Sequence, residues 1–118
     1  MSPPLSEWKA DYARYDKTTE LKLREASEFW LEGNAFFREG QWFRASERYQ
    51  KVLVWFTYTF PEGAEEHRRF DDINLRIYLN LCFCKLKTKE WQEVKDFAYQ
   101  ALKIDPDNAD VHFHLSRL

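Results

Sequence analysis

Apolar side chains recur along this chain at steps of three and four, the spacing that draws one stripe along a helix, so the sequence predicts an all-α protein. The first stretch, residues 1–19, is polar and mixed in charge. Its Trp8, Tyr12 and Tyr15 follow Ser6, a good capping residue, at helical steps, which fits a short helix or a tether. From Glu20 the helix formers Leu21-Lys22-Leu23-Arg24-Glu25-Ala26 open an element over residues 21–39. A second helix is expected over 42–60. The loop 60–66 stops it, because Pro61 lacks an amide donor and Gly63 favours a turn. Asp71 or Asp72 then caps a third helix to Lys87, in which Ile73, Ile77, Leu81 and Cys84 share a face. Lys89-Glu90-Trp91 turns the corner into a fourth, over 91–103, that buries Val94, Ala98 and Ala101. Asp105-Pro106 ends it, since the residue before a proline avoids the α conformation, and Asp107-Asn108 opens a fifth over 109–118.

Within this pattern, Glu32-Gly33-Asn34-Ala35-Phe36-Phe37-Arg38-Glu39-Gly40-Gln41-Trp42, followed by Ala45 and Tyr49, is a repeat signature whose second copy ends at Ile104-Asp105-Pro106-Asp107-Asn108. It resembles the tetratricopeptide repeat, a helix pair of 34 residues. In that frame Gly33 is the small position where the two helices meet, Ala45 lies where they cross, and Phe29, Phe36 and Tyr49 fill the space between them. Units then start at Ala26, Leu75 and Ala109. The last two keep the 34-residue period, whereas Ala26 and Leu75 stand 49 apart, so fifteen residues are inserted. A second helix lengthened through Tyr58, together with the loop 60–66, accounts for them. The fold expected is a tetratricopeptide-repeat array: antiparallel helix pairs in a right-handed superhelix, about two and a half repeats over residues 20–118, with 1–19 as a linker or short helix. Each repeat buries its apolar face only against neighbours. The half unit at the end is therefore expected to leave Val111, Phe113 and Leu115 partly exposed, as in a fragment of a longer protein or a form capped by association.

Composition narrows the function more than the fold. With 18 basic and 20 acidic residues in 118, spread along the whole chain, no basic tract collects phosphates, which argues against nucleic-acid binding. No apolar run approaches the roughly 20 residues that cross a bilayer; Val52-Leu53-Val54-Trp55-Phe56 is too short. The start, Met1-Ser2-Pro3-Pro4, has no secretory pattern. Cys82 and Cys84, two apart, cannot staple a helical domain, which favours a reducing cytoplasm or nucleus.

Two further segments, Asn80-Leu81-Cys82-Phe83-Cys84-Lys85-Leu86 and Glu90-Trp91-Gln92-Glu93-Val94, join Glu32-Gly33-Asn34 and Phe37-Arg38-Glu39-Gly40 in a more specific likeness. Over residues 20–118, insertion included, the chain resembles the tetratricopeptide domains of the FK506-binding immunophilin co-chaperones and the aryl-hydrocarbon-receptor-interacting protein. The resemblance implies a concave groove lined by the first helix of each pair. That groove would hold the C-terminal tail of a heat-shock chaperone (heat shock protein 90), ending in Glu-Glu-Val-Asp, and so recruit the chaperone to a client protein. It also implies a prolyl-isomerase-like domain upstream. In the family, five polar residues clamp the terminal carboxylates, and in the repeat frame their positions are Trp30, Asn34, Asn80, Asp110 and His114. Both asparagines are kept and the three cations are gone. A lysine beside a carboxylate contributes about 1 to 4 kcal/mol, so Asp110 alone swings binding by at least about 2 kcal/mol, roughly thirtyfold. His114, ordinarily titrating near 6.5, is mostly neutral at pH 7.

Replacement cations lie on the same stripe: Arg76 four residues before Asn80, Arg38 four after Asn34, and Lys87 further along. An altered clamp of Asn34, Arg38, Arg76 and Asn80, with Trp30 as an exposed aromatic wall and His114 beside it, would accept a peptide with fewer carboxylates or in another register. The alternative is a groove that binds no terminal carboxylate, a scaffold for another protein or for a second copy of the chain. Asn34 and Asn80 can equally serve to hydrogen-bond neighbouring helices. Cys82-Phe83-Cys84 with His112-Phe113-His114 suggests zinc, yet alternate residues on a helix point about 200° apart and cannot share an ion. Cys82 is better read as core. No carboxylate pair with a histidine and no glycine-rich phosphate loop is present, so neither an enzyme nor a cofactor is expected in this chain. Glu65-Glu66-His67-Arg68-Arg69 is read as a solvated loop.

Overall fold

The computed structural model describes residues 19–57 and 61–118, with side-chain surroundings for 24–56 and 61–118. Among the described residues there are five helices and no strand: α1 (Thr19–Arg38), α2 (Trp42–Thr57), α3 (Gly63–Lys87), α4 (Trp91–Ile104) and α5 (Ala109–Ser116). Trp8, Tyr12 and Tyr15, the short helix or tether, lie outside them, as do residues 58–60 at the end of the expected second helix. Helix α1 packs on α2 and α3 on α4, α2 joins the two pairs, and α5 lies against both α3 and α4. This is the tetratricopeptide arrangement that the repeat signature predicts.

Both pairs turn the same corner. After α1 the amide of Gln41 bonds the carbonyl of Phe36 at 2.9 Å and that of Gly40 bonds Phe37 at 3.1 Å, with Gly40 at a φ of +74°. After α3 the amide of Glu90 bonds Lys85 at 2.9 Å and that of Lys89 bonds Leu86 at 3.2 Å, with Lys89 at +60°. Each set of bonds satisfies the last carbonyls of a helix through a left-handed residue. Glycine takes that conformation freely, whereas a lysine is strained there by roughly 1–2 kcal/mol. Helix α5 opens on Asn108, whose side chain accepts from the Val111 amide at 3.1 Å.

Two clusters make the core. Ala26, Ala45, Tyr49, Val52, Trp55, Ile77, Leu81 and Cys84 close the first pair against α3. Cys82, Val94, Ala98, Ala101 and Val111 close the second pair against α5. Val111, expected to be partly exposed, is fully buried, because α3 and α4 already give the half repeat its neighbours. Phe113 does stay exposed, and Leu115 is half-buried.

The insertion differs from the sequence reading. Helix α3 starts at Gly63, not at Asp71 or Asp72, so Glu65-Glu66-His67-Arg68-Arg69 is helical rather than a loop. Glu65 and Glu66 in the first turn favour the positive end of the helix dipole, and the Glu66 side chain accepts the Glu62 amide at 2.7 Å. Phe70 anchors these extra turns: it is buried and stacks on Phe56 of α2, ring centres 4.7 Å apart.

Candidate functional site

The first helices of the pairs, with α5, present matching stripes. On α1 the steps of three and four place Trp30, Asn34, Phe37 and Arg38 together; on α3 they place Arg76, Asn80, Phe83 and Lys87; on α5, Asp110, Phe113, His114 and Arg117. Cross-contacts tie the stripes into one face. The Arg76 guanidinium lies 5.8 Å from the centre of the Trp30 ring, Phe37 meets Phe83 at 5.2 Å, and Phe83 meets His114 at 6.1 Å.

Trp30, expected to stand exposed, is half-buried and packs against the first core cluster. An indole is wide enough to cover core and still carry a cation over its ring, and Arg76 supplies that cation. Arg38 and Arg76 are both exposed, at the ends of the stretch that holds the asparagines. Asn34 and Asn80 are half-buried and do hydrogen-bond between helices, both to the same group. The Tyr49 hydroxyl of α2 donates to Asn34 Oδ1 at 2.7 Å and accepts from Asn80 Nδ2 at 3.3 Å. Burial pushes that hydroxyl up to about 12, with the nearby Cys84 adding to the rise, so it stays protonated through the neutral range.

Asp110 is exposed on α5, and His114 one turn on is half-buried against Phe83. Desolvation holds the imidazole below its ordinary 6.5, against the opposing pull of Asp110, so His114 is uncharged at pH 7. Neither residue carries a positive charge at pH 7.

The aromatic part of the face was not expected from sequence. Phe37, Trp42 and Phe83 form a mutual cluster, Trp42 meeting Phe37 at 5.2 Å and Phe83 at 5.4 Å. The Lys87 ammonium lies 5.9 Å from the Trp42 ring and 5.3 Å from Phe83. Its signal was present in the spacing: Phe83 and Lys87 continue the Arg76–Asn80 stripe by three and four. Cys82 and Cys84 are buried free thiols, and Cys82 Sγ contacts the Val94 carbonyl at 3.6 Å, while the His112 ring is exposed and bonds the Pro106 carbonyl at 2.9 Å. Among the described residues no group of three or more histidines, cysteines or carboxylates is placed to hold a metal ion.

No protein-family model matches the chain. It is 27% identical over 96 residues to the rat peptidyl-prolyl cis-trans isomerase FKBP4, covering 81% of this chain and 21% of that protein. It is 32% identical over 84 residues to the Arabidopsis thaliana peptidyl-prolyl cis-trans isomerase PASTICCINO1, covering 71% of this chain and 13% of the relative. The chain thus spans about a fifth or less of these curated relatives. Among solved structures it matches the C-terminal tetratricopeptide-containing domain of a Plasmodium falciparum FK506-binding protein, with a TM-score of 0.79 and 30% identity over 86% of this chain and 68% of that one.

Proposed function

We propose a function from one premise: the chain belongs to the tetratricopeptide-repeat domains of the FK506-binding proteins, and such a domain is a protein-interaction module. The stripes of α1, α3 and α5 then line a peptide groove, and its ligand is an acidic C-terminal tail of the heat-shock-chaperone type, bound by a rebuilt clamp. The observation that carries this reading is Arg76 over Trp30. The family's first cation position is a tryptophan here, and its ring receives a guanidinium from α3, which returns a positive charge to the same end of the groove beside Asn34 and Asn80. Arg38 and Lys87 continue the positive stripe. The module would serve as the chaperone-recruiting part of a co-chaperone acting in the cytoplasm or nucleus, with any isomerase activity residing outside residues 20–118; the buried free thiols of Cys82 and Cys84 suit a reducing compartment.

Calorimetric titration with the pentapeptide Met-Glu-Glu-Val-Asp tests it. Binding in the micromolar range is expected, weakened about tenfold in Arg76→Ala and about thirtyfold in Arg76→Glu, because one attractive charge is lost or reversed. Amidation of the peptide's C-terminus weakens it likewise. Absence of heat at high peptide concentration removes the clamp reading and leaves the scaffold reading, which the exposed Asp110 and Phe113 favour. A concentration-dependent sedimentation coefficient would then identify a second copy as the occupant.

The same titration is expected to depend on pH. Desolvation holds His114 neutral at pH 7 and makes it gain its proton only below its ordinary 6.5, so acidification adds a cation next to the groove while the peptide's carboxylates, near 4, stay ionised. Around that ring stand Asp110 on its own helix and Phe83 on α3, with Lys87 on the same Phe83 ring. Affinity should rise as the pH is lowered from about 7.5 towards about 5 and lose that rise in His114→Gln. A rise that survives His114→Gln would place the titrating group elsewhere.

A further inference from the structure

Tyr49 belongs to α2, not to the helices that carry the groove stripes, yet its hydroxyl lies between the two retained asparagines. The residue is fully buried, and its ring lies against Gly33, where a Cβ would fall 2.7 Å from Cε1 and 2.9 Å from Cδ1. With the ring so fixed, the hydroxyl has little freedom to move. It has one proton to give, and gives it to Asn34 Oδ1; its oxygen accepts from Asn80 Nδ2. We propose that Tyr49 is the positioning residue of the groove: a one-proton hub that orients both asparagine amides and makes the two unequal in what they offer a ligand.

The inequality follows from counting donors and acceptors. Asn34 spends one lone pair of its carbonyl on Tyr49 and keeps both N–H groups of its amide for a ligand. Asn80 spends one N–H and keeps the other N–H together with its carbonyl oxygen. The pair therefore offers three donors, two of them on Asn34, while its freer acceptor, with both lone pairs open, is the Asn80 carbonyl oxygen. That set suits the end of a peptide chain, a carboxylate to accept and a backbone amide to donate, better than it suits an isolated anion. This specificity rests on the groove reading above. The hub itself does not, because it is a property of the free protein.

The test separates the two. In the unliganded protein, Asn34→Asp keeps the acceptor that the Tyr49 hydroxyl needs, whereas Asn80→Asp sets two acceptors against a hydroxyl with one proton. Each position has an arginine four residues away, Arg38 for Asn34 and Arg76 for Asn80, so the added charges meet similar surroundings. The melting temperature is expected to fall more in Asn80→Asp than in Asn34→Asp, and the difference to vanish when Tyr49→Phe is added to each. Equal losses, the reverse order, or a difference that persists with Tyr49→Phe would overturn the hub. Tyr49→Phe keeps the ring, so the fold is retained, and the side-chain amide NMR signals of Asn34 and Asn80 should shift towards those of a solvated asparagine; unchanged signals also overturn it. Where the wild type binds the Met-Glu-Glu-Val-Asp peptide, Tyr49→Phe should weaken binding about tenfold and have little further effect on top of Asn34→Ala. Full additivity there would refute action through the asparagines. A wild type that binds no such peptide defeats the groove reading, while the melting and NMR results still decide the hub.

Discussion

Gly33→Ala is expected to destabilise the domain by about 2 kcal/mol, lowering its melting temperature by about 10 °C. The direction is opposite to what local propensity gives, since alanine in a helix interior is better than glycine by roughly 1 kcal/mol. Packing decides it. A Cβ at position 33 would stand 2.7 and 2.9 Å from two ring carbons of Tyr49 and 3.2 Å from a third, distances at which something must move. The ring cannot swing away cheaply, because Tyr49 is fully buried among Ala26, Ala45 and Ile77, and its hydroxyl is bonded to two other helices. Either α1 backs off from α2 and opens the first core cluster, or the ring tilts and both asparagine bonds are lost. Thermal unfolding followed by circular dichroism measures the loss. The cause is checked by Tyr49→Leu, which removes the obstructing ring: adding Gly33→Ala to that variant should cost little or nothing. If Gly33→Ala melts at or above the wild-type temperature, the close contact at Gly33 does not constrain the helix pair.

How far the sequence reaches follows from the same residues. Gly33, Ala45 and Tyr49 are legible because their spacing belongs to a repeat, and a repeat fixes which side chains face each other before any coordinates are known. The boundary of α3 was not legible. Residues 63–69 carry no apolar stripe, and what makes them helical is Phe70 finding Phe56 across the insertion, a contact between elements that no local pattern encodes. The corner at Lys89 was located, but its left-handed backbone was not, since lysine is a poor signal for that conformation. At the site, the repeat frame places Asn34, Asn80 and Arg76 on one face. It does not reveal that Tyr49, distant in sequence from both asparagines, joins them, nor that the Trp30 ring takes Arg76. Both facts depend on side-chain directions set by the crossing of helices.

Those buried side chains also set a limit on the conditions the fold withstands, and a collapse of stability between pH 9 and 12 is the second large effect expected. Burial pushes the thiols of Cys82 and Cys84 from their ordinary 9.0 up to about 12, and the Tyr49 hydroxyl from 10.0 to about 12; burial raises Tyr78 as well. Each group is neutral while protonated. Below about pH 9 both folded and unfolded chains hold these protons, and these groups add nothing to the pH dependence of stability. Above it the unfolded chain releases them and the folded chain does not, so the unfolded state binds fewer protons and stability falls as pH rises. One pH unit in that window corresponds to about 1.4 kcal/mol per group, so at pH 11 the two thiols together remove about 5 kcal/mol, comparable to the whole stability of a small domain. Chemical denaturation at pH 8, 10 and 11 should show a steep decline beginning near 9. Cys82→Ala with Cys84→Ala, whatever it costs at pH 8, should flatten the first part of that decline and leave the portion that begins near 10, where the tyrosines titrate. An unchanged pH profile in the double variant would mean that the thiols ionise without unfolding the chain, and that the core around α3 admits water.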